Sequence, residues 1–289
     1  MDAKQVRKHW QRALRSNLAR TAELLRRRGP LNAGAVHDLR VALRRSRLLL
    51  QLPGKHHDRN RTKAFRAAAR KIMDALAPVR DADVTLDRAR AERASPALLT
   101  LLLRERTTCC RRAERKRKRL KSILRTARLD VAGKIDADKL SRCFRRWLEA
   151  MSARCLEGAR TAGRHSISEL HELRRDIRRW RYLRELLLSR EDASRDGAIQ
   201  GLIAAQEALG AIQDAEVALN SLQRCGRSRE VSAMKRNART RLEATREAAL
   251  RELEHFASRP SSPRHAHPNV FAASRAPAQA PANSPATGM

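Results

Sequence analysis

Residues that end helices are scarce. The 289-residue chain has 11 Gly and 10 Pro, and six of the ten prolines lie beyond residue 259. No stretch alternates apolar and polar residues with period two, so strands are excluded and long helices are expected. Aromatic residues make up only 3%, few for the stacking platforms on which single-strand nucleic-acid binders depend. The five cysteines (109, 110, 143, 155 and 225) are odd in number and contain no CxxC. They suit neither a disulfide framework nor a zinc site and read as reduced thiols. The longest apolar run, Leu98 to Leu103, is interrupted by Thr100 and is too short to span a bilayer. The opening MDAKQVRKHW lacks the apolar segment of a secretory signal. A cytoplasmic protein without a transmembrane segment is expected. No HExxH, glycine-rich phosphate loop or nucleophile elbow is present. Adjacent His56 and His57 have no Cys or Glu cluster to support a metal. Asp81 and Asp83, two residues apart on a helix, point to different sides. No catalytic residue, cofactor or metal is therefore expected.

Acidic residues are also in short supply: 31 Asp+Glu against 64 Lys+Arg give a net charge of +33 and a pI near 11.6. Such a surplus repels itself in a compact state and points to a polyanionic partner. Arginine far outnumbers lysine, which favours forked contacts to phosphate oxygens. At 42% hydrophobic residues, the chain is nevertheless rich enough to fold.

Helix punctuation divides the first half into helices over about 3–28, 34–52 and 60–77, with a break or kink at Pro78 and resumption to about 93. Ser95-Pro96 reads as an N-cap followed by a first-turn proline that opens a helix to about 126. The second half predicts helices over about 137–162, 166–189, 195–209, 210–224 and 228–256. The chain also repeats itself. AVHDLRVALRRSRLLLQL (35–52) aligns with ELHELRRDIRRWRYLREL (169–186), and ALAPVRDADVTL (75–86) with ALGAIQDAEVAL (208–219), at offsets of 134 and 133 residues. A tandem duplication is expected, with repeats over about 3–128 and 134–257, each a helical bundle. The joint falls near 130–138, and the Pro/Ala/Ser-rich segment 258–289 is expected to be a disordered tail.

The repeated helix carries a pattern. His37, Arg40, Arg44 and Arg47 fall within an arc of about 80° on a helix, and Leu39, Ala42, Leu43, Leu49 and Leu50 take the other side. His171, Arg174, Arg178 and Arg181 reproduce the arc, opposite Leu173, Ile177, Trp180 and Leu183. Arg45 and Arg179 lie on its flank. One such stripe is as well explained by a solvated face; its recurrence favours a function. Two stripes facing each other would line a groove for a linear phosphate polymer, which has charge along its length and no bases to read. The run Arg111 to Lys121 is basic on all sides and reads first as a solvated face.

HDLRVALRRSR and HELRRDIRRWRY, each followed by a (R/Q)DA(D/E)V segment, resemble the CHAD family, the conserved histidine α-helical domain, over about residues 3–257. The resemblance implies an all-α fold of two bundles about a pseudo-two-fold axis with a basic central groove or pore. It also implies binding of inorganic polyphosphate and, in some members, association with polyphosphate granules. The positions implied to bind are His37, Arg40, Arg44, Arg47, His171, Arg174, Arg178 and Arg181, with Arg45 and Arg179 in support. Asp81 and Asp214 are implied to orient arginines or anchor helices. The ExExK signature of the triphosphate tunnel domain fused to some members is missing: Glu252 and Glu254 are followed by His255-Phe256. The competing expectation is a basic helical protein that binds nucleic acid non-specifically; weak binding of that kind is expected at low salt.

Overall fold

The computed structural model describes residues 2–27, 29, 31–51, 59–126, 135–188, 190–225 and 228–258. The joint over 127–134, His56-His57 and the tail beyond Ser258 lie outside these. The helices in chain order are α1 (Ala3–Arg26), α2 (Ala33–Leu49), α3 (Arg59–Ala91), α4 (Pro96–Thr126), α5 (Ala137–Arg160), α6 (Ile167–Leu187), the short α7 (Arg190–Arg195), α8 (Gly197–Gln223) and α9 (Arg229–Ser258). Among the described residues there is no strand, and no helix is long and apolar enough to cross a membrane.

Local chemistry sets the helix starts. Asn32, Asp136 and Asp196 cap α2, α5 and α8 by accepting from the amides of Ala35, Lys139 and Ile199. Asp2 with Gln5, and Ser166 with Glu169, close full capping boxes on α1 and α6. Ser95 and Pro96 open α4 as expected, and Glu230 at the start of α9 accepts from both the amide and the hydroxyl of Ser95, at 2.6 and 2.7 Å. Beyond α1, Gly29 takes the left-handed φ of +100° that ends the run.

Neither Pro78 nor the expected boundary between 209 and 210 breaks its helix. α3 runs through Pro78. That proline removes the amide that would bond to the Asp74 carbonyl, but both residues are exposed, so water can reach the freed oxygen. The helices expected over 195–209 and 210–224 are one helix, α8, because Gly210 serves packing there and does not break it.

The two halves do not fold around separate centres. α1 packs on α2, α5 and α6; α3 packs on α4 and α8; α9 packs on α8 and α5. One apolar cluster joins Trp10 of α1, Leu43 of α2 and Ile72 of α3 to Phe144 of α5, Ile177 of α6 and Leu253 of α9. A smaller cluster joins Leu86 and Leu98 to Leu222 and Met234. Trp10 is fully buried, and its indole N–H donates to the Leu49 carbonyl at 2.9 Å, serving an orphan acceptor in the last turn of α2. A shared core predicts shared unfolding. Trp10→Ala in the first half and Phe144→Ala in the second should each cost about 3–5 kcal/mol. Both should lower the midpoint of one common urea transition; a separate transition for each half contradicts a single core.

Candidate functional site: an arginine-lined cleft

Sequence periodicity puts the apolar side of α2 (Leu39, Ala42, Leu43) and of α6 (Leu173, Ile177, Trp180) into the core, where all six are buried. The opposite faces then meet across a cleft of about 430 Å³ between α2, α3 and α6. Its cations are Arg44 and Arg47 of α2, Arg70 of α3, and Arg175, Arg178 and Arg179 of α6; the carboxylate on its wall is Asp74.

The arginines are close enough to act on one another. Burial, then the charges of Arg44, Arg80 and Arg174, push Arg40 down to about 10, partly offset by Asp81. Burial, then Arg44, pushes Arg178 down to about 9, with Arg174 and Arg40 adding to the shift and Tyr182 opposing it. Arg44 and Arg174 are lowered as well, each first by burial and each by the charge of Arg80. Arg47 is lowered by burial and then by Arg70, Arg66 and Arg179, with Asp74 opposing. Guanidinium groups from both halves thus share one field of like charge in a desolvated setting.

Some of this charge is held in place by neutral or acidic partners. Arg40 donates to the Met73 carbonyl at 3.2 Å. Arg174 donates to the Gln206 carbonyl at 3.4 Å and to the side-chain oxygen of Gln213. Gly210 leaves the room for this: a Cβ there would lie 2.9 Å from Arg174 Nη2. Arg80 bonds to Asp214 of the other half, and its Nη1 lies 3.7 Å from Asp81. The two repeated aspartates therefore hold an arginine. Arg47 Nε and Arg80 Nη1 are buried donors without a hydrogen-bond partner among the described residues, the condition in which a buried group gains most from an anion.

Not every repeated residue joins the cluster. Arg45 ion-pairs with Glu185 at 2.6 Å and stacks 4.7 Å over Tyr182. Arg181 reaches the other oxygen of Glu185 at 3.4 Å and stacks 5.2 Å from the same ring. These two form a clasp between the halves on Tyr182, a ring that lines the cleft, while neither arginine does. Arg179 lines the cleft but also donates to buried Asp176 at 2.8 Å, and Arg154 of α5 contacts the second oxygen of Asp176 at 3.4 Å. The histidines differ. His37 is exposed at the start of α2, whereas His171 Nε2 lies 3.1 Å from Glu216 of α8. The counterpart of Glu216, Asp83, is taken by Arg106 of α4.

Sequence reasoning missed Arg80, Arg70 and Arg66. Arg66 and Arg70 are four apart, with Asp74 next on the same stripe of α3, a spacing readable from the sequence. Arg80 stands where the second repeat has Gln213, and that difference was itself the signal.

An all-α protein whose repeated arginine helices meet at one cleft is what the fold and site define. The family model described as the CHAD domain matches residues 8–223, and the chain belongs to the CHAD domain family. No curated protein matches it. The structure of PptA from Streptomyces chartreusis is similar at a TM-score of 0.60 and 17% identity, covering 86% of this chain and 99% of its own. The crystal structure of the CHAD domain from the plant Ricinus communis gives 0.56 and 21%, with 92% of each chain covered. At these identities the likeness is one of fold.

The Gly210 contact generates a prediction. Gly210→Ala gains up to about 1 kcal/mol of helix propensity, and the group it meets is the movable end of a side chain. The denaturation midpoint should hold or rise while affinity for polyanions falls, as read by urea titration beside a binding isotherm. Unchanged affinity would show that the seat of Arg174 is immaterial.

Proposed function

We propose that this protein binds inorganic polyphosphate along the arginine-lined cleft and carries out no chemistry on it. The cleft is the basic groove of two tandem, pseudo-symmetric bundles, and the protein acts in the cytoplasm on polyphosphate granules. Polyphosphate binding is the association of the CHAD family to which the chain belongs. One observation carries the reading for this chain: Arg40, Arg44, Arg80, Arg174 and Arg178, drawn from both halves, lie in one another's field. Of these, Arg44 and Arg178 line the cleft, together with Arg47, Arg70, Arg175 and Arg179. A linear polyanion relieves that repulsion at many points at once and supplies acceptors for the unsatisfied donors.

Two further observations support this reading over its competitors. Trp10 and Trp180 are buried, Trp180 edge-on to Phe256 at 6.0 Å, and Tyr182 is occupied by two arginines. None of these rings is presented as a platform for a nucleic-acid base. Asp81 and Asp214, the two repeated aspartates beside the cluster, are engaged with Arg80, which leaves them poorly placed to hold the metal that phosphoryl transfer needs.

The test is competition at about 150 mM salt, where weak phosphate contacts are screened. Labelled long-chain polyphosphate is challenged with duplex DNA, RNA and short phosphates. Long polyphosphate should compete far better than nucleic acid of matched charge; equal competition would make this a general polyanion binder. In the same assay Arg44→Glu with Arg178→Glu should abolish binding with helix content retained.

The pH dependence has a defined sign. Arg178 and Arg40 carry their protons below about 9 and 10, so these groups leave affinity flat from pH 6.5 to 8. In the free protein burial and like charge make the charged form of both groups costlier than in water, and a bound polyanion, which needs that form, holds the proton more firmly. The same protonated groups weaken the unliganded fold below pH 9, and that penalty fades above it. Isotherms across this range should separate the two effects. A rise in affinity above pH 9 would remove these arginines from the site.

A further inference from the structure

A second cavity lies outside this cleft. It occupies about 670 Å³ between α3 and α4, with Asp74 and Pro78 on one wall and Arg112, Arg115, Lys116 and Lys118 on the other. The basic run of α4 is therefore not a uniformly solvated face. Arg117 turns inward, buried, to Glu114 at 2.9 Å and to the Arg27 carbonyl at 3.4 Å. The four cations on the cavity wall are exposed, and none forms an ion pair with a described residue. Elsewhere in the molecule exposed arginines such as Arg90, Arg160 and Arg195 do pair with nearby carboxylates.

Asp74 ties the two places together: it lines this cavity and also the arginine-lined cleft. In both linings it is the carboxylate among cations. α3 is thus a ridge between two basic hollows, and its width is that of one helix, about 10 Å. The proline four residues on removes the amide that would have engaged the Asp74 carbonyl, so a second partial negative charge sits at the same point of the ridge.

We propose that the α3–α4 cavity is a second phosphate-binding station, and that a long chain seated in the cleft crosses α3 beside Asp74 to reach it. This rests on the polyphosphate reading above and extends it. The cleft alone holds a short oligophosphate; a longer chain gains a second set of contacts without a second molecule, raising affinity through effective concentration. Asp74 opposes the crossing and makes the gain depend on chain length.

The experiment compares tripolyphosphate with long-chain polyphosphate on the full-length protein, across a salt series. Arg112→Glu/Arg115→Glu/Lys116→Glu should lose about tenfold or more for the long chain, with a salt slope shallower by about two to three contacts. Its tripolyphosphate affinity should stay within about twofold. A control of equal charge change on other helices, Arg142→Glu/Arg146→Glu/Arg239→Glu, corrects for loss of overall field. Asp74→Asn removes a carboxylate from the walls of both hollows and should tighten the long chain by clearly more than it tightens tripolyphosphate. If the α4 variant matches the control, or Asp74→Asn tightens both ligands alike, the second station is overturned while the cleft stands. If Arg44→Glu/Arg178→Glu still binds both ligands, the cleft reading fails and this inference with it.

Discussion

Burial of like charge governs this molecule. Guanidinium groups from α2, α3 and α6 sit partly desolvated within each other's field, and a fold tolerates that only where strong apolar packing holds the helices. The shared core supplies this packing: Trp10, Leu43, Phe144 and Ile177 belong to one cluster. Two independent lobes would drift apart under the repulsion. A core common to both halves fixes α2 and α6 on either side of the cleft, and under the proposed function the repulsion there becomes an affinity for anions.

The repeats have diverged where the helices meet. Leu48 and Gln51 of the first repeat correspond to Tyr182 and Glu185 of the second. The second repeat thus has a ring and a carboxylate that draw Arg45 and Arg181 into a clasp, whereas Arg47, the counterpart of Arg181, remains in the cleft. Likewise Arg80 crosses to Asp214, and Gln213 accepts from Arg174. The site is symmetric in its central arginines and asymmetric at its edges.

This division explains what was legible in the sequence. Helix content, most helix starts and the apolar sides of α2 and α6 follow from spacing and capping chemistry local to each segment. The central residues Arg40, Arg44, Arg174 and Arg178 follow from the recurrence of one pattern. What was not legible depends on meetings between distant segments: the clasp at Glu185, separated from Arg45 by 140 residues, and the role of Arg80. Whether Pro78 would break its helix was not legible, because tolerance of a proline depends on whether the freed carbonyl can reach water, which spacing alone does not state. The boundary expected between 209 and 210 was misplaced because Gly210 lies inside one helix, where it leaves room for Arg174.

The central claim is that the arginine cluster is a strain on the free protein which the polyanion relieves. The most direct measurement is the thermal midpoint of Arg178→Gln beside the parent chain, with and without long-chain polyphosphate. The account predicts that the variant melts higher than the parent without ligand, since one repelling charge is gone, and gains less from polyphosphate. A variant that melts lower without ligand, yet is stabilised by polyphosphate as fully as the parent, would contradict it.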